Sequence, residues 1–124
     1  MITKEQIAET YKSIQQEITD ALEVLDGGAK FQEELWERDG GGGGRTRIIQ
    51  AGNLIEKGGV NFSAVHGTLP EPVKKAFGVE DDQFFATGVS IVLHPNHPLV
   101  PIIHMNIRYI ELNEQTRWFG GGID

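Results

Sequence analysis

Phe85-Ala86-Thr87-Gly88-Val89-Ser90-Ile91-Val92-Leu93-His94 and Pro101-Ile102-Ile103-His104-Met105-Asn106-Ile107-Arg108-Tyr109-Ile110-Glu111-Leu112 are two alternating runs around the proline-rich stretch Pro95-Asn96-His97-Pro98. Successive side chains of a strand point to opposite faces of its sheet, so the two faces of this hairpin can be separated on paper. Val89, Ile91, Leu93, Ile103, Met105, Ile107 and Tyr109 fall on one face, which predicts a surface packed beneath a helix. Ser90, Val92, His94, Ile102, His104, Asn106, Arg108 and Ile110 fall on the other. Any register that pairs even with even residues gathers this second set together. Solvated strand faces are usually Thr, Lys, Glu and Gln, and none of these occurs between Ser90 and Arg108. Ser, His, Asn and Arg among Val and Ile instead predict a partly buried cavity with a few directed polar groups.

Each polar residue of that face has a chemical use and an ordinary structural one. Arg108 carries a planar fork that can grip a carboxylate bidentately. His104 can exchange a proton near neutral pH, or bind a metal as neutral imidazole. Asn106 can donate and accept at a fixed point. Taken singly, a histidine is usually just hydrogen-bonded and an arginine is usually a salt-bridge partner. Their being neighbours on one face is what marks them as a candidate site.

Outward from the hairpin, Thr116 to Gly122 forms a third run after the polar turn Asn113-Glu114-Gln115, which makes an antiparallel meander. Gly120-Gly121-Gly122 lies within that run, beside Trp118 and Phe119. Interior strand glycine often marks the close approach of a ligand or another backbone. Such a stretch offers a flat floor with Asp124 at its rim, where a carboxylate suits an N–H-rich ligand; a solvated aspartate is the plainer alternative. Upstream, Gln32 to Arg38, Arg45 to Gln50, and Leu54 to Phe62 read as strands, the last interrupted by Gly58-Gly59, with Ala51-Gly52-Asn53 as a turn. Pro70-Glu71-Pro72 opens a short helix, Glu71 to Phe77, closed by Gly78.

Residues 3 to 26 predict one amphipathic helix, with Ile7, Tyr11, Ile14, Ile18, Leu22 and Leu25 as its apolar stripe. Thr3 is placed as N-cap with Gln6 three residues on, and Gly27-Gly28 ends the helix. The whole is read as one α+β domain, 1–124: an antiparallel meander flanked by helices, with a long helix at the front. The run Gly40 to Gly44 is followed by Arg45-Thr46-Arg47-Ile48-Ile49, a strand-like segment. It is neither a dinucleotide fingerprint, which needs a helix there, nor a P-loop, which needs Gly-Lys-Ser/Thr. It reads either as a flexible hairpin tip or as a mobile loop that brings Arg45 and Arg47 to an acidic ligand.

Bulk properties narrow the classes further. A net charge of −7 over 124 residues works against nucleic acid as a partner, and leaves any anionic ligand to be met by a few local arginines. There is no cysteine, hence no disulfide framework or thiolate chemistry. No run of eighteen apolar residues predicts a membrane span, and the N-terminus lacks a signal-peptide pattern, so a cytoplasmic location is expected.

Several blocks carry a family likeness. Gly41 to Arg45 with Arg47, Glu56-Lys57-Gly58-Gly59-Val60-Asn61-Phe62-Ser63, Phe85-Ala86-Thr87-Gly88-Val89-Ser90, and His94-Pro95 with Asn96 and Pro98 resemble successive blocks of oxygen-dependent coproporphyrinogen III oxidases. So do His104-Met105-Asn106-Ile107-Arg108-Tyr109 and Trp118-Phe119-Gly120-Gly121-Gly122 with Asp124. The blocks run in order from the first residues to the last, and the chain is expected to be an N-terminal portion, well under half of a typical member. The resemblance implies a large antiparallel sheet wrapped by helices in a cytoplasmic homodimer. It implies oxidative decarboxylation of two propionates of coproporphyrinogen III, with molecular oxygen as co-substrate and no redox cofactor. By the same likeness His104 is the proton donor, Asp124 faces the pyrrole nitrogens, and Ser90 with the stretch Asn106, Ile107 and Arg108 contacts substrate. Arg45, Arg47 and Arg108 meet propionates, and His94 and His104 are candidate ligands for a divalent metal.

Overall fold

A computed structural model describes all residues from Met1 to Asp124. The elements are α1 (Lys4–Asp26), β1 (Gln32–Glu37), β2 (Gly42–Gln50), β3 (Ile55–Thr68), α2 (Glu71–Phe77), β4 (Gln83–Pro95), β5 (Ile103–Glu111) and β6 (Arg117–Ile123). The six strands form one sheet in the order β1-β2-β3-β4-β5-β6, every neighbouring pair antiparallel. The expected α+β architecture is therefore present, with the long helix packed on one face. The other face carries no long helix; α2 meets it at one end, where Phe77 packs on Trp118 with ring centroids 5.3 Å apart. No helix is long and apolar enough to cross a membrane.

Helix α1 starts where a reciprocal cap satisfies its first free N–H groups. Gln6 N–H donates to Thr3 Oγ1 at 3.2 Å, and Thr3 N–H donates to Gln6 Oε1 at 2.8 Å. It ends at Gly27, which takes the left-handed conformation at φ 73°. Ile7 and Tyr11 insert among Val60, Phe62, Val89, Ile91 and Tyr109 to make the central core cluster. At roughly 1.5–3 kcal/mol per fully buried large apolar side chain, this packing and not helix propensity holds α1 to the sheet.

The expected apolar stripe does not run the full length of α1. Leu25 is 66% exposed, and the buried line passes through Gln15 and Thr19 to Asp26. The reason lies beneath the helix, where β2 presents Arg45 and Arg47. Gln15 donates to the carbonyls of Arg45 (2.6 Å) and Val60 (2.8 Å), so its burial leaves no polar group unpaired. Asp26 pins the far end of the helix to the β2–β3 turn. One carboxylate oxygen accepts from Gly28, Ala29 and Asn53 N–H, and the other from Leu54 and Ile55 N–H. These backbone donors hold the Asp26 carboxyl well below the usual carboxylate range.

Two strand boundaries lie furthest from expectation. β3 passes through Gly58-Gly59 without a break and continues to Thr68, because β2 and β4 pair with it on both sides. Ladders on both edges outweigh the weak strand preference of glycine. β2 likewise begins inside the glycine run, at Gly42, where φ is 83° and the chain passes close to Ala64. The run is therefore part hairpin tip and part strand.

Candidate functional site

Register places the candidate side chains. Ser90 is opposite Asn106, Val92 opposite His104, and Gly88 opposite Arg108 across β4 and β5. Arg108 is opposite Gly120 and Asn106 opposite Gly122 across β5 and β6. His104 and Asp124 exchange both backbone hydrogen bonds, at 3.0 and 2.7 Å, so their side chains leave from the same face. The even-with-even pairing is therefore observed, and Ser90, His104, Asn106, Arg108 and Asp124 share the face opposite α1. With no element over its centre, that face bears an open groove of about 410 Å³ and not the partly buried cavity expected. His104, Arg108 and Asp124 are exposed, while Ser90 and Asn106 are half-buried.

Beside the groove, where β5 meets β6, the open face is short of side chains. Arg108 stands between Gly88 and Gly120, and Asn106 stands beside Gly122. A methyl group added at Gly122 would meet nothing within 4 Å, and one at Gly120 would meet only Arg108 Cγ at 3.9 Å. Packing within the chain thus gives no reason for glycine at either place, although interior strand glycine weakens a sheet. The arginine's Nη2 donates to Asn106 Oδ1 at 3.0 Å, which leaves the rest of its fork free.

Ile107 sends its side chain to the α1 face, packed against the core, and gives the groove only backbone. His94 is one step along β4 from Val92, so it is a diagonal neighbour of His104 on the open face. No group of three or more His, Cys, Asp or Glu side chains is placed to hold a metal ion. A pair of histidines falls short of the three or four protein ligands a bound zinc ordinarily has, so the residues present do not fit a self-contained metal site.

Arg45 and Arg47 do not join the groove. They pair with Phe62 and Val60, whose side chains belong to the core face, so both arginines lie under α1. Arg45 donates from Nε to Gln15 Oε1 (2.7 Å) and from Nη2 to the Lys12 carbonyl (3.2 Å). Arg47 donates from Nη1 to Thr19 Oγ1 (2.8 Å) and from Nη2 to Glu33 (2.9 Å). Burial first, and then the nearby Arg47, lower the Arg45 pKa, with Glu33 and Glu9 opposing. The substrate contacts expected of these arginines are not supported: they tie the helix to the sheet.

Asn61 and Ser63 of β3 also line the groove. Alternation from Val60 and Phe62 would have put both on the open face, but the supposed interruption at Gly58-Gly59 obscured the strand's parity.

Residues 6–124 match the model of the family described as coproporphyrinogen III oxidase. The chain belongs to the coproporphyrinogen III oxidase family. It is 44% identical over 128 residues to coproporphyrinogen-III oxidase 1, chloroplastic, of Arabidopsis thaliana, a match that covers 91% of this chain and 33% of that protein. It is 48% identical over 113 residues to the oxygen-dependent coproporphyrinogen-III oxidase of Prochlorococcus marinus strain NATL1A, covering 90% of this chain and 32% of that protein. The corresponding protein of strain MIT 9313 is 44% identical over 124 residues, covering 98% of this chain and 35% of that protein. The chain spans about a third of the length of these curated relatives. The blocks that carry the likeness fall mainly on β2 to β6, with His94-Pro95 closing β4 and Asn96 and Pro98 in the β4–β5 connection.

Proposed function

We propose that the open face is the floor of a site at which coproporphyrinogen III undergoes oxygen-dependent oxidative decarboxylation, two propionates becoming vinyls to give protoporphyrinogen IX. The observation that carries this is the grouping of Arg108, His104 and Asp124 around Gly88, Gly120 and Gly122 on one sheet face. A porphyrinogen presents ring N–H donors and carboxylate arms. Asp124 accepts from the pyrrole N–H groups and stabilises positive charge developing on the ring. Arg108 pairs with a propionate, and Ser90 and Asn106 hold the substrate between them. The missing side chains at Gly120 and Gly122 let the macrocycle lie close to the sheet.

For each propionate, the β-carbon loses a hydrogen with two electrons to oxygen. The bond to the carboxylate carbon then breaks, and its electron pair forms the vinyl double bond. Propionate, oxygen and one proton thus become vinyl, carbon dioxide and hydrogen peroxide, with His104 supplying the proton. The ring is electron-rich and can pass electrons to oxygen directly, so no redox cofactor is required in this scheme. Positioning and exclusion of competing oxidation are the tasks left to the protein. A cytoplasmic homodimer completes the proposal; the uncovered Phe119 and Ile123 on β6 support association of that edge with further protein.

The second reading is a tetrapyrrole-binding piece without turnover, favoured by the openness of the groove. Anaerobic titration of coproporphyrinogen III, then admission of oxygen and mass analysis, separates the two. Decarboxylated product that disappears in Asp124→Ala supports the catalytic site. Binding without product assigns the chain to the second reading, and no binding overturns both.

A further inference from the structure

We propose that Asn61 is a further substrate-contacting residue of the groove, its amide turned donor-outward by a Trp36–Thr46 hydrogen-bond relay so that it receives a propionate carboxylate. The inference rests on the substrate reading given above. Thr46, Asn61, Ser90 and Asn106 occupy one level across β2 to β5, each opposite the next. Trp36 Nε1 donates to Thr46 Oγ1 at 3.0 Å, and Thr46 Oγ1 donates to Asn61 Oδ1 at 2.6 Å.

Chemistry fixes the direction of this relay. An indole N–H can only donate, so Thr46 Oγ1 accepts from Trp36 and turns its single proton toward Asn61. The atom that receives that proton must be the amide oxygen. Asn61 Nδ2 is left facing the groove, unburied and without a partner in the chain. The indole itself depends on Gly44, where a methyl group would come within 2.3 Å of Trp36 Cζ2. One residue of the glycine run thus serves the open face after all, by seating Trp36.

The other side of Ser90 has the same arrangement. Asn106 Oδ1 is occupied by Arg108 Nη2, so its amide nitrogen too is left to donate. The two amides sit two strand spacings apart, roughly 10 Å, with the Ser90 hydroxyl between them. Such a row offers donors and suits an acceptor-only group. A carboxylate fits it, whereas a pyrrole N–H would meet two outward amide donors and only the Ser90 hydroxyl to accept from it.

The test uses the whole chain under anaerobic conditions, titrated with coproporphyrinogen III and, separately, with its tetramethyl ester. In the wild type the Asn61 side-chain amide signals in a ¹H–¹⁵N spectrum should shift on binding of the acid. Thr46→Val should weaken that binding about five- to tenfold, Thr46→Ser should restore it, and Asn61→Asp should weaken it further by charge repulsion. Ester binding should not depend on Thr46. If the acid binds while the Asn61 signals stay still and Thr46→Val binds equally well, the relay is overturned and the substrate reading stands. If the wild type does not bind the acid, both fall. If Thr46→Val fails to fold, wild-type Asn61 signals that stay still on binding of the acid are enough to overturn the Asn61 contact, and signals that shift support it.

Discussion

His104 and Asp124 face each other across β5 and β6, each donating its backbone N–H to the other's carbonyl, at 3.0 and 2.7 Å. This pairing is made by main chain alone, so either side chain can be changed without breaking it. Asp124→Asn should therefore leave the thermal midpoint within about 3 °C of wild type, as for other exposed surface changes. Loss of the carboxylate should weaken coproporphyrinogen III binding about tenfold or more, read by anaerobic titration beside a melting curve.

Gly122→Val separates floor from fold in the opposite sense. A side chain there meets nothing within 4 Å, and valine is a better strand former than glycine. Stability should hold or rise by up to about 1 kcal/mol in urea denaturation. Tetrapyrrole binding should fall about tenfold, because the isopropyl group would stand where the ring is proposed to lie.

Loss of Gln15 beside Arg45 and loss of Arg108 on the open face should have opposite effects. Gln15→Leu strips the partners from Arg45 Nε and from the Arg45 and Val60 carbonyls, and should destabilise by about 2–3 kcal/mol in urea denaturation. Arg108→Ala on the open face should change stability by no more than about 0.5 kcal/mol, since Arg108 is exposed and bonded only to Asn106. It should weaken binding of the tetracarboxylate, whereas Gln15→Leu should leave affinity unchanged at temperatures where it is folded.

Asp26 predicts a component of acid sensitivity. Its folded pKa is depressed by backbone donors from Ala29, Leu54, Ile55 and Asn53. The stabilisation is therefore fully present above the unfolded value of about 3.9, and is lost as pH falls below that toward the folded pKa. Asp26→Asn should lower the thermal midpoint at pH 7 by on the order of 10 °C. It should also flatten the midpoint's decline between about pH 5 and pH 2. An unchanged acid profile would show that Asp26 does not carry this linkage.

The residues explain which parts of the molecule were legible in advance. Strands β4 and β5 alternate cleanly, so their register and the shared face of Ser90, His104, Asn106 and Arg108 followed from parity. Thr3, Gln6 and Gly27 likewise announced the limits of α1. Small residues hid the rest: Gly58-Gly59 looked like a break, and Ser63 to Thr68 has too little alternation to reveal that β3 continues. The charge of Arg45 and Arg47 suggests ligand contacts. They share parity with Ile49, which is buried, but adjacent Ile48 made either face plausible. Polar burial at Gln15 and Thr19 had no signature until β2 was seen to pass beneath them.

Strand order in the sheet equals strand order in the chain. Each ladder can then close against the segment just made, without waiting for a distant partner, and such local closure is the kind that favours quick folding. The long-range step belongs to α1, whose Gln15 reaches main chain 30 and 45 residues away. On a ribosome the helix would emerge before the sheet and wait, while the hairpins that carry the groove assemble behind it. The groove side of the sheet can thus take shape by successive zippering, with the docking of α1 sealing the reverse side once β3 and β4 are in place.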